Sequence, residues 1–579
     1  METDEYGFIK PTEVGGDMIA TNRPGIFAAG CATGPKDIPD SVTEAGAAAA
    51  YALTYTKQKT WPLKLEVEPI DISGPPNVGV FICHCGSNIA GTVDVEDVVA
   101  YARGVPGVGH SENIRFACAG NALEHITNTI KEKKLTRVVV GACSPKTHGP
   151  TFQQSCAKAG LNPYLFEMAN IRNQDSWVHK KEPEAATEKA RDLVRMAVDK
   201  SAFLKPLQPT EFPVVQKALV VGGGVAGMTA AANLARQGFE THLVEHSKEL
   251  GGVLRYLDEV APSGLNAKEL LAAKIKDLHD AGVNVHVGSE IENVSGFVGN
   301  FNAHLSSGEN LDVGTIILAT GAEVYQPSEF GYGSNTNILT TLELEGKLPK
   351  VDANRITFVA CVGSRSKERG CSRFCCETMI SQALRLKNEG KKVRVLYRDI
   401  RTFNRNAEEL YEEACRKGIQ FFQFDQDQPL EEAIRFENGN VLFHDELVGS
   451  DVSIPTDLLV LNIGLTPYKE GVGVANQLKV SRDTEGFLLE SHPKLGPVEA
   501  AVGGVFLCGT SQGPKNVRES VAQALATASK AATILSRKSV EREPVAAVVD
   551  YDKCTFCQRC VAVCPYSAIR GELKKSLEI

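Results

Sequence analysis

The chain runs to 579 residues, enough for three or four domains of about 150 residues each. Its 43% apolar and 23% charged content is that of an ordinary globular protein, and no apolar run reaches the roughly 18 residues of a membrane helix, so direct membrane insertion is not expected. A net charge of -9 without a Lys/Arg-rich block argues against nucleic acid, while 16 cysteines behind METDEYGFIK, an acidic start with no secretory core, point to reduced thiols in the cytoplasm.

The first 60 residues hold one half of an internal repeat. Residues 25–42, GIFAAGCATGPKDIPDSV, align without a gap to 504–521, GVFLCGTSQGPKNVRESV, and Asp4, Gly7 and Phe8 fall on Asp483, Gly486 and Phe487. Residues 1–60 therefore read as the end of a second copy of the central domain, with no glycine fingerprint before it. Such a tail is expected in a longer two-copy polypeptide or docked on another chain. A Pro/Gly-bearing stretch then opens a domain over 77–200, with strands expected at 78–82, 114–117 and 137–141 and helices near 94–103, 121–133 and 149–159. Short apolar strands alternating with helices predict a small parallel α/β domain. Cys83 and Cys85 follow the first strand, Cys118 the second and Cys143 the third, at the carboxyl ends where parallel sheets bind ligands. They form a candidate cluster site, with His84 and His148 as substitute ligands or bystanders. Against it stands the tendency of free cysteines to be buried as small apolar groups, the account preferred for Cys156 and Cys415.

From 215 to 535 the pattern is again α/β. A strand at 217–221 runs into Gly222-Gly223-Gly224-Val225-Ala226-Gly227, a G-x-G-x-x-G that opens a small-residue helix. Gly222, Gly224 and Gly227 allow the sharp turn, the close approach of a pyrophosphate and tight helix packing. A second strand ends in Glu245, placed to hold ribose hydroxyls, and Gly251-Gly252 follows. A strand at 315–319 leads into Thr320-Gly321, so that Ala-Thr-Gly resembles the second fingerprint of FAD-dependent disulfide reductases, and GVFLCG at 504–509 resembles their last flavin-contacting segment. Those relatives carry Asp after Gly509, where this chain has Thr510, so contacts from backbone amides and Ser511 are expected instead. FAD is the expected cofactor. Lys515 is a candidate catalytic group, a cation beside the reduced isoalloxazine, against the ordinary reading of a solvated lysine.

Where a second G-x-G-x-x-G for NAD(P)H would follow the strand at 356–360, cysteines stand instead: Cys361, Cys371, Cys375 and Cys376. Four thiols at a strand end suit an iron–sulfur cluster, with zinc or a redox-active dithiol as alternatives. After a linker, residues 545–579 carry Cys554, Cys557, Cys560 and Cys564 as C-x2-C-x2-C-x3-C with Pro565 behind, the run by which bacterial ferredoxins hold a [4Fe-4S] cluster. Val548 to Asp550 and Ala568-Ile569 are expected to frame that loop.

CVGSRSKERGCSRFCC at 361–376, DIRTFNR at 399–405, GYGSNTNILTTLELE at 331–345 and GPKNVRESVAQA at 513–524 together resemble the FAD-bearing A subunit of heterodisulfide reductase, over roughly residues 77–579. The resemblance implies an α/β architecture: a small parallel domain, a thioredoxin-reductase-like two-Rossmann flavin domain with a cluster-bearing second βαβ at about 352–450, and a ferredoxin-like tail. It implies that Cys361, Cys371, Cys375 and Cys376 ligate a [4Fe-4S] cluster, which with the tail run makes two; a third, at Cys83, Cys85, Cys118 and Cys143, stays the candidate that their placement at strand ends suggests. The resemblance further implies an oxidoreductase component that performs FAD-based electron bifurcation. Its partners would be polypeptides like the B and C subunits of heterodisulfide reductase, hydrogenase or dehydrogenase modules, and ferredoxin. The chain departs from the methanogen pattern in residues 253–312, which lack the usual ferredoxin insertion and hold no cysteine. An electron conduit without bifurcation is the alternative, and a self-sufficient NAD(P)H oxidoreductase lacks its nucleotide loop.

Overall fold

The computed structural model describes all residues except 57–66, 349–350, 446, 470, 543, 546, 548, 565–568, 573–575 and 579. It contains two compact units, one of residues 1–61 and 212–540, the other of 62–211 and 541–579. The expected Pro565 and Ala568 flanks and Val548 lie outside the described residues, and Val549 and Asp550 are not in a strand.

In the second unit a four-stranded parallel sheet runs in the order Val108–Ile114, Val78–Cys83, Arg137–Ala142, Phe166–Asn170. The two middle strands, VGVFIC and RVVVGA, are buried along their whole length, as strands covered by helices on both faces must be. The second strand ends at Ile114, so the expectation of a strand at 114–117 is corrected to an earlier segment. Residues 115–119 instead turn into helix Gly120–Glu132. The described part of the tail carries a short helix, Arg559–Val563, and an antiparallel pair, Arg570–Glu572 with Ser576–Glu578.

The first unit is built on two sheets. One has seven strands, and its centre sets Lys217–Val221, Thr315–Leu318 and Val505–Leu507 side by side in parallel. The other has five parallel strands in the order Ile338–Thr340, Leu458–Ile463, Arg355–Val362, Lys392–Tyr397, Gln420–Gln423. Helix Val517–Leu535 begins with a capping box, Asn516 and Glu519 satisfying each other's backbone amides, and is buried on nearly every side. Residues 253–312 fold without cysteine, as helix Ala267–Ala281 and a three-stranded antiparallel sheet.

Residues 1–56 pack onto this same unit. Helix Ile38–Thr56 lies along helix Val517–Leu535, and at Gly46 a Cβ would come within 3.0 Å of the Ala526 Cβ, so a larger residue there would force the helices apart. Glu13 pairs with the buried Arg518 at 2.8 Å, and Arg405 pairs with Asp4.

Candidate flavin and cysteine sites

A cavity of about 600 Å³ opens at the carboxyl ends of the central strands of the seven-stranded sheet. Gly222, Gly224, Glu245, Gly252, Thr320, Gly321, Gly509, Thr510 and Lys515 all line it. Gly222 sits at φ +108°, and a Cβ there would lie 2.2 Å from the Ala319 carbonyl oxygen; at Gly227 it would lie 1.8 Å from the Gly222 carbonyl. These two glycines let strand and helix touch, so Gly227 stands behind the cavity wall. Gly224 differs: nothing lies within 4 Å of its Cβ direction, and it faces the open cavity at the start of helix Val225–Arg236. The helix thus presents unpaired N–H groups and the positive end of its dipole to whatever fills the space, which suits a pyrophosphate. Glu245 accepts the Gly223 amide at 2.6 Å and the Ser247 amide at 2.8 Å, which fixes its carboxylate at the cavity edge with lone pairs to spare for hydroxyls. The residues present therefore fit FAD.

Two details depart from the sequence reading. Ser511 donates to the Leu318 carbonyl at 3.2 Å and the Cys508 carbonyl at 2.9 Å and is buried, so it braces the turn and does not face the cavity. Cys415 is exposed, not buried as expected, because it lies on the outer face of helix Ala407–Arg416; Cys156 is fully buried. Lys515 is half-buried and donates to the carbonyls of Gly509 at 2.9 Å and Gly513 at 3.0 Å. Desolvation pushes its ammonium down to about 8.

On the five-stranded sheet, Cys361 stands one residue before the end of strand Arg355–Val362 at φ +64°, and Cys375 and Cys376 open helix Cys375–Asn388. Cys361, Cys375 and Cys376 are buried and Cys371 half-buried, and their thiols interact electrostatically with one another. The Cys375 and Cys376 thiols share a hydrogen bond, so one proton leaves the pair readily while burial and the neighbouring charge oppose the second. Their surroundings add residues that the motif does not contain. Arg365 and Arg398 both act on Cys361, and the Arg401 backbone donates to Cys376. Buried nitrogens of Arg365 and Arg398, Nη1 and Nε, have no hydrogen-bond partner among the described residues, and Arg365 Nη1 stands 3.7 Å from Asp399. Two guanidinium groups beside the thiols, with Asp399 as the carboxylate paired to Arg365, suit thiols that carry negative charge, as they would around an anionic cluster. The same segment reaches the flavin cavity: Phe374 and Thr378, on either side of Cys375 and Cys376, line its wall.

In the small domain Cys83 and Cys143 are buried, Cys85 is half-buried and Cys118 is exposed. The Ala117 amide donates to Cys83 Sγ at 3.4 Å, Arg172 Nη1 lies 4.0 Å from Cys85 Sγ, and the four thiols influence one another's charge. His84 borders a separate small cleft with residues 90–96. Serine at both Cys83 and Cys118 is expected to remove about four iron atoms per chain. Unchanged iron by colorimetric assay means that no cluster sits there.

In the tail, Cys557 is exposed and Cys554, Cys560 and Cys564 are half-buried. The Phe556 amide donates to Cys554 Sγ at 3.4 Å, and left-handed conformations at Phe556 and Gln558 bend the loop. A backbone hydrogen bond from Arg559 holds the Cys557 thiol below its ordinary value. Among the described residues no group of three or more His, Cys, Asp or Glu side chains stands in metal-binding geometry. Nor, among those residues, is any helix long and apolar enough to cross a membrane.

Residues 178–359 match the family described as pyridine nucleotide-disulphide oxidoreductase, and residues 547–570 match the 4Fe-4S binding domain. The chain is 35% identical, over 86% of its own length and 91% of the relative's, to the A subunit of the H(2):CoB-CoM heterodisulfide,ferredoxin reductase of Methanothermobacter thermautotrophicus. It is also 35% identical, over 85% of its own length and 91% of the relative's, to the second of the A-type iron-sulfur subunits of the CoB--CoM heterodisulfide reductase of Methanopyrus kandleri. Among solved structures, thioredoxin reductase of T. acidophilum aligns with 56% of this chain and 98% of its own at 19% identity and a TM-score of 0.39.

Proposed function

The chain belongs to the family of heterodisulfide reductase A subunits, and from that premise we propose that it is the FAD- and [4Fe-4S]-bearing electron-transfer component of a multi-subunit redox complex, working by flavin-based electron bifurcation. The observation that carries this reading is the shared wall between cavity and thiols. Phe374 and Thr378 border the flavin cavity while Cys375 and Cys376, between them, belong to the buried thiol patch. FAD, when bound, supplies chemistry that takes up electrons as a pair and yields them singly. The chain's own residues do the rest. Gly224 and the helix behind it receive the pyrophosphate, Glu245 the ribose, and the walls of the cavity exclude water from the reacting ring. Cys361, Cys371, Cys375 and Cys376 would hold one cluster, with Arg365 and Arg398 offsetting its charge; Cys554, Cys557, Cys560 and Cys564 would hold another at the outlet. Cys83, Cys85, Cys118 and Cys143 would hold a third. The name borne by the Methanothermobacter relative joins a heterodisulfide to a ferredoxin, which supports two acceptors of different potential for this chain and partners of both kinds.

One observation favours the plainer reading of an electron conduit: residues 253–312 offer no thiol, so a low-potential exit on that side has to come from elsewhere. Potentiometric titration of the assembled complex separates the two. Strongly crossed one-electron flavin potentials are expected for bifurcation, and uncrossed potentials mean a conduit. Lys515 adds a sign to the same measurement. Its ammonium is present below about 8 and lost above it, so the flavin potential is expected to fall as pH rises through that value. Lys515→Met should lower the potential at pH 7 by roughly 20–60 mV, equivalent to about 1–3 kcal/mol, and converge with the unaltered protein by about pH 9. Equal potentials at pH 7 remove Lys515 from the flavin site.

A further inference from the structure

Residues 1–56 repeat the backbone of the segment that closes the flavin-binding sheet. The bridges Thr3↔Ile9, Pro11↔Thr21 and Ala20↔Phe27 reappear 479 positions later as Arg482↔Leu488, Glu490↔Ala500 and Glu499↔Phe506. The turn is the same as well. Gly30 and Gly509 stand at φ +63° and +71°, and Gly34 and Gly513 at +141° and +140°. The Gly30 amide donates to Glu44 at 2.8 Å as the Gly509 amide donates to Gln523 at 2.8 Å. A 19-residue helix follows in each copy, and Lys36 takes the place of Lys515.

The copies differ in what covers them. Strand Val505–Leu507 pairs with Thr315–Leu318, where Ile316 donates to Gly504 and Cys508 to Leu318. The matching residues 26–28 pair on one side only, through Ala20, and among the described residues no strand lies beside them on the other. Ile26 is 41% exposed where its counterpart Val505 is 1% exposed. On the helices, Ala524, Ala528 and Ala531 are buried against the sheet, together with Phe506 and Ile317. Their counterparts Ala45, Ala49 and Ala52 form the same i, i+4, i+7 stripe and are exposed. A strand edge, a helix stripe and a flavin-type turn are thus built for a dinucleotide-binding sheet that residues 1–579 do not contain twice.

We propose that residues 1–56 supply the closing strand, turn and helix of a second FAD site, completed by a dinucleotide-binding segment outside residues 1–579 that brings the glycine fingerprint and the remaining strands. A second copy of this chain cannot fill the role, because beside its own strand Thr315–Leu318 the place is already taken by its own Val505–Leu507. The thiol segment lies next to both turns: Arg373 pairs with Glu519 at 2.7 Å at the start of one repeat helix and faces Asp37 and Asp40 at the start of the other. The inference rests on the reading of 509–515 as a flavin-contacting turn.

The test is a flavin count on this chain, alone and in the complex purified through a tag on it. One FAD is expected in the isolated chain. The complex should hold one more FAD per copy of this chain than the same preparation of Ile26→Asp, which alters an exposed residue and should keep its own flavin and thermal stability. Ala49→Glu serves as a second surface variant if Ile26→Asp does not fold. A photo-crosslinker placed at Ala49 should join a segment that carries G-x-G-x-x-G. Equal flavin in the unaltered and variant complexes, or crosslinks to a second copy of this chain or to a segment without that fingerprint, overturns the inference. An isolated chain with no flavin overturns the underlying FAD reading instead.

Discussion

Gly224→Val should leave the protein folded and strip it of flavin. The reasoning turns on how the three fingerprint glycines differ. Gly222 has a left-handed backbone, and at both Gly222 and Gly227 a Cβ would collide with backbone, so substitution there disturbs the fold itself. Gly224 has φ -74° and ψ -178°, an extended conformation that valine accepts, and no protein atom waits within 4 Å. A valine side chain would therefore enter the cavity at the helix N-terminus, in the volume a pyrophosphate must occupy. Overpacking of about 3 kcal/mol corresponds to a loss of affinity of about 100-fold or more. Flavin absorbance per chain should fall to near zero, while the melting temperature stays within about 2 °C of the flavin-free unaltered protein. A variant that keeps its flavin places the cofactor elsewhere.

The contrast between these glycines shows what a sequence can carry. The fingerprint, the strand before it and the carboxylate after it are local, and their spacing alone fixes a turn, a helix start and a cavity edge. Central strands are equally plain, because VGVFIC and RVVVGA are buried on both faces and read as unbroken apolar runs. Edge strands are not. VGHSENI, on one edge of the small sheet, is only partly buried, and its weak pattern lets the expected strand slide onto residues 114–117; FEMAN, on the other edge, raises no expectation at all. The arginines around Cys361 are hidden for a different reason. Arg365 follows one strand and Arg398 another, and only the lateral order of the five-stranded sheet brings both to the same thiols. Ser511 is ambiguous because a hydroxyl beside a flavin-type turn can face either way, and here two carbonyls hold it inward.

Cys361→Ser discriminates among the three chemistries that these four thiols, three of them buried, allow. Cys361 is 5% exposed at a strand end and lies in the electrostatic reach of Cys371 and Cys376. Serine differs from it by one atom, so the fold should tolerate the change, while its hydroxyl is a far poorer ligand than a thiolate. If the patch holds a cluster, the variant loses about four iron atoms per chain and keeps its flavin. Cys554→Ser should remove a separate set of about four, because Cys554 belongs to the tail run and Cys361 to the five-stranded sheet. Their double variant should lose both. A loss of about one zinc with iron unchanged assigns the Cys361 site to structural zinc. Unchanged metal together with a loss of thiol-dependent electron uptake assigns it to a redox dithiol. The guanidinium groups of Arg365 and Arg398 beside Cys361 favour the first outcome: Asp399 pairs with Arg365, Arg398 donates to the Gln426 and Gln428 carbonyls, and a cluster held by four thiolates adds negative charge there that neutral thiols do not.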